Sequence, residues 1–264
     1  MMQQTHAIPA SLVMRSREAF IRGVIWAFIG ALYGMLFVVF SSLADEWKLP
    51  IHPYVFSGVL AGTLGALIYS SMRLAVLMAI IISPVCAILL VFSSTPISPP
   101  NLLFIIGGVG AMAGGLYGRF NSHSRVHRAD AKTLTGFTAG LLASLGYLLL
   151  ATQMTDIPLG IIIGIMCPLT GLIYVFLVPI FLRSCGNLLP PVGGGALVGI
   201  GVAVFLTLCN FVMVHSVDID STGTFHDLIH HVQDLLPQAM TGGLIGGGLA
   251  GIVSSMLFER WQDL

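Results

Sequence analysis

Eight stretches of this chain, near 20–42, 53–71, 74–93, 101–119, 132–152, 157–181, 192–214 and 236–258, are almost continuously apolar. About 20 such residues cross the roughly 30 Å hydrocarbon core of a bilayer as a helix, whereas the strands of a membrane barrel alternate apolar and polar residues over about ten positions. These runs do not alternate. The expected fold is therefore all-α, a polytopic membrane helix bundle of about eight transmembrane helices that forms a single integral membrane domain over residues 1–264. Composition agrees, since only 8% of the 264 residues are charged and 56% are hydrophobic, against about 25% charged in a soluble domain. Basic and acidic residues balance at eleven each, which excludes the basic excess of a nucleic-acid binder.

The polar, basic lead over residues 1–19 could pass for the start of a cleavable signal. The run behind it is too long for one and carries glycines spaced like those of later runs. Residues 1–19 are read as a cytoplasmic tail and the first run as a retained helix. With the N-terminus inside, ten of the eleven Lys and Arg residues fall on the cytoplasmic side and only Lys48 falls outside. Cytoplasmic loops hold such an excess, so the expected location is the cell inner membrane with both termini cytoplasmic. Of the four cysteines, Cys86, Cys167 and Cys209 lie in apolar runs and Cys185 in an inside loop. None is placed for an external disulfide framework.

Many of the 31 glycines recur seven apart, as Gly23 and Gly30, Gly58 and Gly65, Gly108 and Gly115, Gly164 and Gly171, and Gly194 and Gly201. Shorter steps of four reinforce them at Gly30/Gly34, Gly58/Gly62, Gly110/Gly114/Gly118, Gly136/Gly140, Gly160/Gly164 and Gly242/Gly246. Small residues on one helix face let a neighbouring helix approach closely, so Gly-rich packing seams are expected, with Gly30, Gly65 and Gly115 facing other helices. A tyrosine follows the second small residue in five copies, as Tyr33, Tyr69, Tyr117, Tyr147 and Tyr174. The shared spacing also suggests that helices one to four and five to eight form two repeats.

All eight runs lack Asp, Glu, Lys, Arg and His away from their ends. Proton relays and intramembrane hydrolases use such residues, so no catalytic residue is assigned and the chain is not read as an enzyme. Polar groups that remain inside include Cys86, Cys167 and Asn210, which are the candidates for a substrate path or pore. Pro84 and Pro168 stand beside the first two and would kink their helices.

The external loop over 215–236 is the unusual polar segment. Its part from Phe225 to Leu236 has an amphipathic pattern, with Phe225, Leu228, Ile229, Val232, Leu235 and Leu236 on one side, and Pro237 marks its expected end. This helix is expected to lie on the outer surface, apolar face down. His226, His230 and Asp234 follow one another at four-residue steps, so they share a face and suit a divalent metal, the one cofactor the residues suggest. The inside loop before the fifth run is basic, with Arg119, Arg125, Arg128 and Lys132 available to anionic headgroups.

Two functional classes fit. One is a multi-pass permease or channel-like subunit for a small solute or metal ion. The other is a non-catalytic scaffold or assembly subunit of a larger membrane complex. Expected partners are the lipid bilayer and other membrane subunits or further copies of the chain, with no nucleic acid.

Overall fold

The computed structural model describes residues 10–92, 99–120, 128–151, 157–185, 188–214 and 224–257. These form eight helices and no strand among the described residues: α1 (Ala10–Glu46), α2 (Pro53–Ser70), α3 (Met72–Phe92), α4 (Pro99–Phe120), α5 (Ala129–Ala151), α6 (Leu159–Cys185), α7 (Pro191–Val214) and α8 (Thr224–Leu257). Each apolar run has become one helix. Five of the helices are long and apolar enough to cross a membrane. Large apolar side chains point outward around the bundle, with Phe104 at 81%, Leu149 at 77% and Ile80 at 70% exposure. Such a surface suits lipid, because a water-soluble monomer rarely exposes contiguous apolar patches of this kind.

Five helices close into a ring. In order around it, α1 packs on α2, α2 on α5, α5 on α6, α6 on α8, and α8 back on α1. Helices α3, α4 and α7 form a second group, in which α4 packs most extensively on α7, and α7 joins this group to α2 and α5 of the ring. This arrangement differs from two four-helix repeats. The pairs α1–α2 and α5–α6 occupy comparable places, but α8 closes the ring while α4 stands outside it.

Glycines define how the paired helices approach. On the α1–α8 contact, a side chain on Gly30 would run into the Gly243 backbone, and one on Gly243 into the Gly30 backbone. Gly34 meets Ala239 and Gly247 meets Trp26 in the same way, so the numbering rises on one helix as it falls on the other. The two are therefore antiparallel. Gly58 and Gly62 of α2 likewise meet Gly140 and Gly136 of α5, and Gly110, Gly114 and Gly118 of α4 meet Gly199, Gly195 and Pro191 of α7. Where α6 meets α8 the order is parallel, Gly160 with Gly242 and Gly164 with Gly246. A side chain on Gly246 would bring its Cβ within 2.7 Å of Pro168 Cδ and 2.8 Å of the Gly164 oxygen. Pro168 cannot donate to that carbonyl, and the bare Gly246 lets α8 cover the spot. At Gly65 the expectation of a facing helix fails, because a Cβ there meets nothing within 4 Å, and at Gly115 it would make only ordinary contact with Val192 at 3.5 Å.

Helices α1 and α8 outlast their apolar runs. Helix α1 begins at Ala10, so half of the expected tail is helical. Helix α8 runs unbroken from Thr224 to Leu257 with Pro237 inside it, so Pro237 does not end a separate surface helix. Proline costs one hydrogen bond and a kink, but packing on both sides holds the two segments in one helix. Val232, before the proline, is 1% exposed in the core, with Leu235 and Leu236 packed against that core, and the glycines after it contact α1 and α6. The apolar face beneath these three residues is thus covered by protein. The side chains of Phe225, Leu228 and Ile229 lie outside the described residues.

The first turn of α5 is the other departure. Ala129, Asp130, Ala131 and Lys132 are all buried, so Lys132 does not reach toward headgroups, and residues 121–127 of the basic loop lie outside the described residues. The two oxygens of Asp130 accept the Ala131 amide at 2.8 Å and the Leu189 amide at 3.0 Å. The carboxylate thereby fixes the approach to α7 against the start of α5. Removing a charged acceptor of this kind costs about 2 kcal/mol. Asp130→Ala should lower stability in detergent by about that much, and Asp130→Asn, which keeps one acceptor, by less. Thermal unfolding followed by circular dichroism reads both.

Candidate functional site: a cavity inside the five-helix ring

The ring holds a cavity between its helices. It is lined by Trp26, Ile29, Gly30 and Tyr33 of α1, by Ala61, Gly62, Gly65, Ala66 and Tyr69 of α2, by Gly136 of α5, by Cys167, Thr170, Gly171 and Tyr174 of α6, and by Gly247 of α8. Eight of these fifteen residues are glycine or alanine, which is why room remains where five helices converge. Measured over the positions a water-sized sphere can take, the space is about 70 Å³, and one water needs roughly 10–15 Å³ on that measure. No Asp, Glu, Lys, Arg or His is among the lining residues.

Aromatic rings bound the space at both ends. Toward Glu46, Tyr33 stacks at a tilt on Phe37, which meets Tyr54, and Tyr54 meets Tyr147 edge-on, with centroids 5.7–6.1 Å apart. Here α1 is also enclosed on every side, since Leu36, Phe37, Val38, Val39 and Phe40 are five consecutive buried residues, and consecutive residues point in all directions around a helix. That end is sealed. Toward the α2–α3 turn, Trp26 and Tyr69 lie edge to face at 6.2 Å, as do Tyr69 and Tyr174 at 6.4 Å. Tyr69 is 38% exposed and stands at the mouth. The Trp26 indole fits beside α6 because residue 171 is glycine, where a Cβ would come 2.5 Å from Cζ3.

The polar groups of the wall are mostly spoken for. The hydroxyls of Tyr33 and Thr170 share a hydrogen bond of 3.3 Å between α1 and α6. The Cys167 thiol donates to the Gly243 carbonyl of α8, at 3.7 Å. The Tyr174 hydroxyl is different, being shielded from solvent and without a hydrogen-bond partner among the described residues.

Of the three pore candidates, Cys167 alone lines this cavity. Cys86 is carried by α3 and Asn210 by α7, both in the outer group, and their side chains lie outside the described residues. The metal candidates stand on α8, on the Thr224 side of Pro237, apart from the cavity. His230 and Asp234 are exposed, while the side chain of His226 lies outside the described residues. Among the described residues no group of three or more His, Cys, Asp or Glu is placed to hold a metal. What residue-type reasoning passed over was the wall itself. A signal did exist, because Tyr33, Tyr69 and Tyr174, three of the five tyrosines that follow the spaced glycines, all face this one space. The chain matches no protein family, no curated protein and no solved structure with which it was compared.

Proposed function

We propose that the chain is a multi-pass protein of the cell inner membrane whose five-helix ring admits a small uncharged solute, as a permease or channel-like subunit. The observation that carries this is the cavity, which lies inside the five-helix ring with no Asp, Glu, Lys, Arg or His along its wall. Removing an ion from water into such a wall costs too much without a countercharge, so the metal ion of the broader reading is not the cargo here. The directions of packing support eight spans. If every helix crosses, odd-numbered helices run one way and even-numbered the other, which makes α1–α8, α2–α5 and α4–α7 antiparallel and α6–α8 parallel, as found. In this reading both termini are cytoplasmic, the mouth at Tyr69 faces the cytoplasm, and glycine contacts hold the bundle together.

A scaffold role draws on a separate observation, that Gly107 and Gly108 of α4 face open space at the edge of the outer group. Flux decides between the two readings. Proteoliposomes should shrink and recover faster than protein-free vesicles in stopped-flow light scattering with glycerol, urea or short alcohols, and should show no added K⁺ or Zn²⁺ permeability. Equal rates with every neutral solute would favour the scaffold. For orientation, Lys48→Cys and Arg183→Cys, each in a chain freed of its native cysteines, should be labelled by an impermeant maleimide from opposite sides. Labelling of both from one side would remove the eight-span arrangement.

A further inference from the structure

We propose that Tyr69 is the gate of the ring cavity: its aromatic ring closes the way in from the end where α2 turns into α3, and rotation of that one side chain admits the solute. The inference rests on reading the cavity as a solute site and names the residue that limits entry. Of the fifteen lining residues Tyr69 alone is exposed, at 38%. At the opposite end Phe37, Tyr54 and Tyr147 seal the space, with Phe37 wholly buried. Exchange with the outside therefore runs past Tyr69.

The frame around Tyr69 is fixed, whereas its ring is lightly held. Trp26 is wedged over Gly171, where a Cβ would come 2.5 Å from Cζ3, and the Tyr174 hydroxyl is shielded from solvent. The backbone that carries Tyr69 is pinned by two buried serines. Ser70 Oγ donates to the Leu67 carbonyl at 2.7 Å, and the Ser71 carbonyl accepts the Ala75 amide at 2.9 Å. The Tyr69 ring meets its frame through two edge-to-face contacts, with Trp26 and with Tyr174, and its hydroxyl makes no hydrogen bond to the described residues. An exposed side chain changes rotamer far faster than a helix shifts, so opening needs no displacement of α2. Two edge-to-face pairs correspond to about a tenfold factor in the opening equilibrium. Because the ring and not the hydroxyl makes both contacts, phenylalanine at this position should gate as tyrosine does.

Cys167 lies behind the gate in the same wall and is 8% exposed, so its thiol reports entry. The test uses the full chain in lipid nanodiscs with Cys86, Cys185 and Cys209 replaced by alanine, which leaves Cys167 as the sole thiol. Its modification by methyl methanethiosulfonate, a small uncharged reagent, is followed by mass spectrometry. Tyr69→Ala should speed labelling about tenfold, the factor of the two lost ring contacts, and Tyr69→Phe should match wild type. Adding Gly65→Leu to Tyr69→Ala should reverse the gain, because it fills the space behind the gate. Equal labelling of Tyr69→Ala and wild type overturns the gate. So does labelling that stays fast with Gly65→Leu added, which would mean that the bundle has merely loosened. If Tyr69→Ala speeds labelling as expected but passes neutral solutes no faster than protein-free vesicles, the gate stands on a blind chamber and the permease reading falls. Should Tyr69→Ala not fold, Tyr69→Leu is read in its place with the same outcomes, since it keeps an apolar side chain and loses both ring contacts.

Discussion

Gly243→Leu should leave no folded protein, and Gly243→Ala should lower stability in detergent by about 3 kcal/mol, the upper part of the usual range for overpacking. The reason is reciprocal contact between two backbones. A Cβ at position 243 would fall on the Gly30 carbonyl of α1, and a Cβ at 30 would fall on the Gly243 carbonyl, so no rotamer change on the opposite side can make room. The helices would have to separate, and α1–α8 is the most extensive contact in the bundle. Gly30→Ala should therefore behave like Gly243→Ala. Gly65→Ala is the control, because a Cβ there meets nothing within 4 Å, and alanine raises helix propensity by up to about 1 kcal/mol. Thermal unfolding of the three alanine variants gives the answer. Equal stability of Gly243→Ala and Gly65→Ala would mean that close approach of the glycine faces does not hold the bundle.

The open side of Gly65 yields the second large effect. Gly65→Leu should cut neutral-solute flux at least tenfold while the protein still folds, because its four side-chain carbons enter space that the native chain leaves unfilled. Gly65→Ala should give an intermediate rate. Gly107→Leu provides the comparison, since position 107 also has nothing within 4 Å but belongs to α4, outside the ring. Its flux should equal that of wild type. If Gly65→Leu conducted normally in the proteoliposome assay, the solute would not pass through this cavity.

The eight helices were legible because unbroken apolar runs leave a chain little other choice in lipid, where every backbone amide must be bonded within its own segment. Their ends were less so. Pro237 reads as a boundary by local chemistry, yet the burial of Val232 on one side and glycine contacts on the other carry α8 through it. Lys132 reads as a loop charge because nothing local shows that its segment will be buried, nor that the Leu189 amide will arrive to meet the carboxylate of Asp130. Among the glycines, steps of four track the contacts better than steps of seven. Gly110, Gly114 and Gly118 meet three successive positions of α7, while Gly65 and Gly108, drawn from the sevenfold set, meet nothing. Ring closure was not legible at all, since it depends on which helices become neighbours, and the Tyr174 hydroxyl stands out only once its surroundings are known.

At 1.5 Å per residue the 34 residues of α8 measure roughly 50 Å, against roughly 30 Å for the hydrocarbon layer. One rod therefore joins the polar end bearing His230 and Asp234 to Gly243 and Gly247, which form part of the α1 contact and the cavity wall. No loop lies between to absorb displacement, and Pro237, the one proline inside this helix, is its natural pivot. A load on the polar end is consequently transmitted as leverage about that pivot, tilting the helix against the smooth glycine face of α1 and altering the width of the chamber beside it.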